Sequence, residues 1–228
     1  MINKVEVIKL GLTGYKEAWD CQEDLFNKLV EAKKADSSQN CYLILCEHPH
    51  VYTLGKSGNE DNLLINSTQL KDKEIQFFRT NRGGDITYHG PGQLVGYPIF
   101  DLTRLNVGLK EYIYLIEEII ILTLKEFNIN SQRKDGATGV WIYSENGGIE
   151  KKVCAIGVKS SRYVTMHGFA LNINTNLEYF NFINPCGFTN NMVTSMAAEL
   201  GNKIDINTVT HKILEHLQKV FNVELLIT

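Results

Sequence analysis

The chain has 228 residues, 43% of them hydrophobic, and a formal net charge of −3, which suits one globular core. That charge balance argues against a nucleic-acid partner, which calls for a clear basic excess. The five cysteines, at positions 21, 41, 46, 154 and 186, show no CxxC spacing, so neither a disulfide framework nor a zinc site follows from them.

No Pro- or Ser-rich linker divides the chain, and residues 1–228 are expected to form a single domain. The stretch Met1–Glu6 lacks the apolar core of a signal peptide. The most apolar window, Tyr112–Leu124, holds Glu117 and Glu118 and is too short to span a membrane. A cytoplasmic protein with reduced thiols, apart from any membrane, is the expectation.

Val5–Leu10 alternates and predicts a strand. Tyr15–Lys34 spaces Ala18, Cys21, Leu25, Leu29 and Ala32 as one helical face. Cys41–Cys46 and Val51–Leu54 are short β-rich runs around Glu47-His48-Pro49-His50. Ile75–Arg79 and Leu94–Asp101 predict strands on either side of a glycine-rich segment. Leu109–Phe127 is the strongest helix, with a stripe wide enough to lie against a sheet. Val140–Tyr143 and Lys151–Val158 predict strands joined by a hairpin tip at Asn146-Gly147-Gly148. Tyr163–Asn174 is a further strand, Asn207–Phe221 a helix begun by Asp205 or Asn207, and Val223–Ile227 a closing strand. The order implies an α+β fold: a mixed, mainly antiparallel sheet with helices packed on it.

Chemistry concentrates in two places. Arg82-Gly83-Gly84-Asp85-Ile86-Thr87-Tyr88-His89-Gly90-Pro91-Gly92-Gln93 brings bare backbone close to a ligand. It is neither a P-loop nor a GxGxxG fingerprint. Farther on, Asn184-Pro185-Cys186-Gly187 sets a cysteine in a turn. Cys186 is the candidate nucleophile, with Phe182 and Phe188 as possible walls of an apolar channel. The other cysteines fall in helix- or strand-like runs and read as core. Only a few per cent of a free thiol, pKa ~8.5, is ionised at neutral pH, so a cation or base must stand near. His89, His167, Lys151, Lys152 and Lys159 all qualify, and the residues alone do not choose among them. His48 and His50 lack a third metal ligand and read as a turn.

These segments, together with Lys152-Val-Cys-Ala-Ile-Gly157 and His167-Gly-Phe-Ala-Leu-Asn172, resemble the lipoate-protein octanoyltransferases over roughly Glu47–Ser195. The resemblance implies the fold of the biotin and lipoate protein ligase catalytic domain. It also implies transfer of an octanoyl group from octanoyl-acyl carrier protein to a lysine of lipoyl domains, the first step of lipoate biosynthesis. The acceptors are those of 2-oxoacid dehydrogenases and the glycine cleavage H protein. The family's nucleophile falls on Cys186, and its activating lysine, at a fixed spacing ahead, on Lys152. Its acyl-binding residues fall on Arg82, Gly83, Gly84, Asp85, Ile86, Thr87, Tyr88 and His89, on Ala155, Ile156 and Gly157, and on Gly168, Phe169 and Ala170. No cofactor, metal or ATP is implied. The chain departs from the family in a longer Ser144–Ile149 hairpin and in His50, where a second proline is common. Because acyl carrier proteins are acidic, a positive rim is expected from Arg82, Lys151, Lys159 and Arg162. The alternatives are an ATP-dependent lipoate or biotin protein ligase, which needs no nucleophilic cysteine, and a non-catalytic protein that binds an acyl group or lipoyl domain.

Overall fold

Alternating and continuous apolar runs become strands, and the wider apolar stripes become helices that cover them. The computed structural model describes residues 3–35, 37–143, 150–184 and 193–227. In chain order these form β1 (Asn3–Leu12), α1 (Tyr15–Lys34), β2 (Cys41–Glu47), β3 (Val51–Leu54) and a 3₁₀ turn (Glu60–Asn62). Next come α2 (Ser67–Asp72), β4 (Gln76–Arg79), β5 (Ile86–His89), β6 (Gln93–Ile99), α3 (Leu102–Leu105) and α4 (Leu109–Glu126). After β7 (Ser131–Lys134), β8 (Ala137–Ile142), β9 (Lys151–Ser161) and β10 (Val164–Asn172) there is a second 3₁₀ turn (Leu177–Phe182). The last elements are α5 (Met196–Leu200), α6 (Ile206–Phe221) and β11 (Val223–Ile227).

The large sheet has eight strands in the order β11-β1-β2-β6-β10-β9-β8-β7. Only β11–β1 and β1–β2 are parallel; the other neighbours run antiparallel. Three shorter strands form a second sheet, β4-β3-β5. This is the mixed, mainly antiparallel α+β arrangement expected. The main core gathers Val7, Leu43, Ile44, Ile99, Ile120, Leu171 and Leu217 between the large sheet and its helices. A smaller core, with Tyr52, Ile86, Tyr88, Phe180 and Ile183, lies at the small sheet.

Local chemistry sets the helix ends. Asp205 accepts from the backbone N–H groups of Asn207 and Thr208 and caps α6. Asn66 and Gln69 form a reciprocal capping box on α2. Helix α1 has the expected bounds, but its buried face is Tyr15, Ala18, Gln22, Phe26, Leu29 and Val30. Cys21, Leu25 and Ala32 are only half-buried. The stripe turns because Gln22 is drawn inward: its Oε1 accepts the backbone N–H of His167 at 3.0 Å. His167 sits at φ +59, a left-handed conformation uncommon for a residue with a side chain. The expected hairpin tip at 146–148 lies outside the described residues, while β8 and β9 pair as foreseen, with Trp141 opposite Lys152.

Candidate active site

The glycine-rich segment does not run as one loop between strands. Ile86–His89 within it forms β5 and pairs with β3, placing Thr87 opposite Thr53 and Tyr88 opposite Tyr52. The part before it folds over the large sheet, and Gly83 donates its N–H to Val158 O on β9 at 2.9 Å. Close approach demands small residues beneath. A Cβ on Gly157 would lie 2.9 Å from Gly83 O and 3.2 Å from Arg82 Cδ. Gly157 is the register partner of Gly168, and Ala170 pairs with Ala155 on one side and Val95 on the other. A trough floored by Gly, Ala and Val is thereby left under the loop, and it opens into a cavity of about 470 Å³. Tyr15, Tyr97, Trp141 and Phe180 add apolar wall.

Arg82 was expected on the rim, but it is 8% exposed. Its Nη2 donates to Thr53 O at 2.6 Å and to Thr53 Oγ1 at 3.0 Å, so the guanidinium fixes the loop from within. The other acyl-binding residues that the resemblance implies also line the cavity, except Tyr88. Tyr88 faces the small core, where its ring stacks 5.0 Å from that of Tyr179. Phe182, proposed as a channel wall, also belongs there, with Lys73 over its ring; Phe180 lines the cavity instead.

The histidines near this wall are buried and held neutral. Burial lowers His48 to about 4, against the pull of its hydrogen bond to Thr13 O. Burial and then the Arg82 and Lys159 charges lower His167 to about 3. His89 is lowered by burial, with His48, Arg82 and His167 adding to the effect. Neither His89 nor His167 has the environment of a poised base. His48 donates to Thr13 O from Nδ1 at 2.7 Å and accepts from Tyr97 OH at Nε2, also at 2.7 Å. His50 stacks on Tyr179 at 4.1 Å. No group of three or more His, Cys, Asp and Glu among the described residues is arranged to hold a metal.

Lys152 stands at the cavity wall on β9. Its Nζ lies 4.7 Å from the centroid of the buried Trp141 ring, a cation–π contact that localises the charge. Gly139, at φ +121, leaves room beside it: a Cβ there would lie 2.5 Å from Cys154 O and 3.4 Å from Lys152 Cε. Lys151 instead pairs with Glu199 at 3.7 Å, and Lys159 lies over the Phe26 ring at 5.3 Å. The four described thiols are poor nucleophiles. Burial raises Cys41 to about 11 and Cys46 and Cys154 further; burial and then Asp24 raise Cys21.

Cys186, with Pro185, Gly187 and Phe188, lies outside the described residues, but the chain on either side is tied to the cavity. Before it, Asn184 donates its N–H to Asn62 O at 2.8 Å, and Asn62 Nδ2 donates to Asp85 Oδ2 at 2.6 Å. After it, Val193 bridges to Lys152, and Thr194 donates its N–H to Lys152 O at 3.0 Å. Gln93 and Asn172 close two of the motifs read in the sequence but were given no role there, and Asn62 and Thr194 were not singled out. A polar residue carries no periodic signal that separates a buried hydrogen-bonded site from a solvated one.

Comparison with known proteins agrees with this geometry. The profile of the lipoyl protein ligase A/B catalytic domain matches residues 14–218. The chain belongs to that family. An octanoyltransferase of Christiangramia forsetii is 49% identical over 99% of each chain. One from Cytophaga hutchinsonii is 50% identical over 97% of this chain and 94% of its own. Among solved structures, the bipartite lipoate protein ligase of Thermoplasma acidophilum superposes with TM-score 0.74 at 13% identity, covering 100% of this chain and 87% of that one. The biotin protein ligase of Aquifex aeolicus gives 0.52 at 13% identity, over 97% and 70%. At such identities the solved structures share the fold alone. Both octanoyltransferases are similar to this chain across nearly its full length.

Proposed function

We propose that this protein is an octanoyltransferase that moves an octanoyl group from octanoyl-acyl carrier protein to a lysine of lipoyl domains, through an acyl-thioester on Cys186. One observation supports the mechanism above the rest. The segment holding Cys186 is anchored at its start to the glycine loop, through Asn62 and Asp85, and at its end to Lys152. The only cysteine beyond the described thiols thus belongs to a segment that is linked at one end, through Asn62, to Asp85 of the cavity and at the other to Lys152.

The Lys152 ammonium favours the Cys186 thiolate. The thiolate attacks the carbonyl carbon of the donor thioester; a new C–S bond forms and the bond to the carrier's sulfur breaks. Lys152 gives its proton to that departing thiolate. As an amine, Lys152 then takes a proton from the acceptor ammonium, whose nitrogen attacks the acyl-cysteine. A C–N bond replaces the C–S bond, the nitrogen's second surplus proton passes to solvent, and the Cys186 thiolate and Lys152 ammonium are restored. The acyl chain lies along the Ala155, Gly157, Gly168 and Ala170 trough, under Arg82–Thr87. Thioester to amide runs downhill, so no ATP, metal or cofactor is required. The natural acceptors are the lipoyl domains of 2-oxoacid dehydrogenases and the glycine cleavage H protein, in the cytoplasm. Residues 1–228 act as one catalytic domain, since both sheets wall the same cavity. No described helix is long and apolar enough to cross a membrane.

Incubation of the protein with octanoyl-carrier protein and a lipoyl domain tests this reading. Octanoylation of the domain lysine without ATP is expected. Transfer that requires ATP and free octanoate would favour a ligase, and binding without turnover a carrier.

A further inference from the structure

Six side chains or backbone groups link the glycine loop to the Lys152 strand through buried hydrogen bonds. Arg82 donates to Thr53 Oγ1 from Nε at 3.3 Å and from Nη2 at 3.0 Å. Thr53 Oγ1 lies 3.4 Å from His89 Nε2, and His89 Nδ1 lies 2.8 Å from Gln93 Oε1. Gln93 Nε2 donates to Tyr88 O at 3.1 Å and to Asn172 Oδ1 at 2.9 Å. Asn172 Nδ2 donates to Thr194 O at 3.0 Å, and Thr194 N–H donates to Lys152 O at 3.0 Å. From Thr53 to Thr194 every residue in the run is 8% exposed or less.

The polarity of the run is fixed by two groups that can only accept. Tyr88 O and Thr194 O are backbone carbonyls, so the amide ends that face them must be NH₂. Gln93 therefore turns its oxygen to His89, and Asn172 turns its oxygen to Gln93. His89 must carry its proton on Nδ1. Neutral, it leaves Nε2 bare, to accept from the Thr53 hydroxyl, whose oxygen receives Arg82. All donors then point one way, from Arg82 on the small-sheet side to Thr194 beside Lys152.

We propose that Gln93 and Asn172 are positioning residues for the transfer, holding the acyl-binding glycine loop and the Lys152 strand in one register through a hydrogen-bond run of fixed direction. The proposal rests on the reading of Lys152 as the group that exchanges protons with substrate. Thr53 and His89 belong to the small sheet, and Gln93 and Asn172 to the large one. The run is thus the polar seam between them, and the amide at position 93 accepts from His89 while donating to both Tyr88 O and Asn172 Oδ1. Carboxylates at either position keep the shape and remove the donor.

The test combines a spectrum and a kinetic split. In ¹⁵N-histidine-labelled protein at pH 7, the His89 ring, assigned by its loss in His89→Gln, should show a protonated Nδ1 and a bare Nε2. Asn172→Asp should keep that pattern, because Asn172 need only accept from Gln93. Its kcat should fall by about tenfold or more while KM for octanoyl-carrier protein stays within about threefold. Gln93→Glu should lose kcat as well and convert His89 to the imidazolium. A wild-type His89 protonated on Nε2, or an Asn172→Asp variant with unchanged kcat, overturns the proposal. The wild-type spectrum does not depend on the enzyme's substrate. Absence of octanoyl transfer in the wild type would instead count against the assigned reaction.

Discussion

Lys152 and its surroundings make the sharpest residue-scale predictions. Lys152→Ala should reduce octanoyl transfer by about 10²-fold or more, the usual range for a general acid–base group. Without the ammonium, the alkylation midpoint of Cys186 should rise toward the free-thiol value of ~8.5. Iodoacetamide rates against pH, read at the peptide that holds Cys186, measure this apart from the half-buried Cys21 and the buried Cys41, Cys46 and Cys154. An unchanged midpoint would remove Lys152 from its role, and Lys159→Ala should matter far less. Gly139 is a second sensitive residue, at φ +121 with Cys154 O and Lys152 Cε close to its open side. Gly139→Ala should cost about 1–3 kcal/mol of stability from backbone strain alone. Urea unfolding would show the loss, and activity should drop as well because the added methyl would lie 2.5 Å from Cys154 O, on the strand that carries Lys152.

At the scale of elements, the packing of the glycine loop on β9 is the feature most open to test. Gly157→Ala places a methyl 2.9 Å from Gly83 O, so the loop must lift. We expect kcat/KM for the octanoyl donor to fall roughly tenfold, mostly through KM. A KM equal to wild type would show that the loop does not cover the acyl chain. Elements with long apolar repeats were legible in the sequence: α1, α4, α6 and the strands β2, β6, β9 and β10 fell where spacing put them. Strand β5 was hidden because it lies inside a motif dominated by glycine and polar residues. Strand β7 reads Ser-Gln-Arg-Lys and has no apolar alternation at all. Helices α2, α3 and α5 span 6, 4 and 5 residues, too short for a helical stripe to repeat. The acyl-facing glycines and alanines were legible through the family resemblance. The polar seam of Gln93 and Asn172 was not, because burial of a polar side chain is decided by partners far along the chain.

For the whole molecule, the buried neutral histidines tie stability to pH. His48 is lowered from 6.5 to about 4 and His167 from 6.5 to about 3, with His89 shifted the same way. As pH falls below 6.5 the unfolded chain takes up protons that the folded protein refuses. Stability is therefore full above that pH and is lost on acidification, until each folded-state value is reached. Each such histidine contributes a slope of up to about 1.4 kcal/mol per pH unit. The urea midpoint should drop steadily from pH 7 to pH 5, and His48→Gln should flatten the slope. A pH-independent midpoint would mean that these rings are protonated in the fold.

The central claim, that Cys186 carries the acyl group, is tested most directly by mass spectrometry after incubation with octanoyl-carrier protein alone. One octanoyl group should appear on the protein, map to the peptide containing Asn184–Phe188, and be released by neutral hydroxylamine, as a thioester is and an amide is not. Addition of a lipoyl domain should then discharge it onto the domain's lysine without ATP. Octanoyl found on Cys154, or transfer by Cys186→Ala at a rate comparable to wild type, would contradict the acyl-cysteine mechanism.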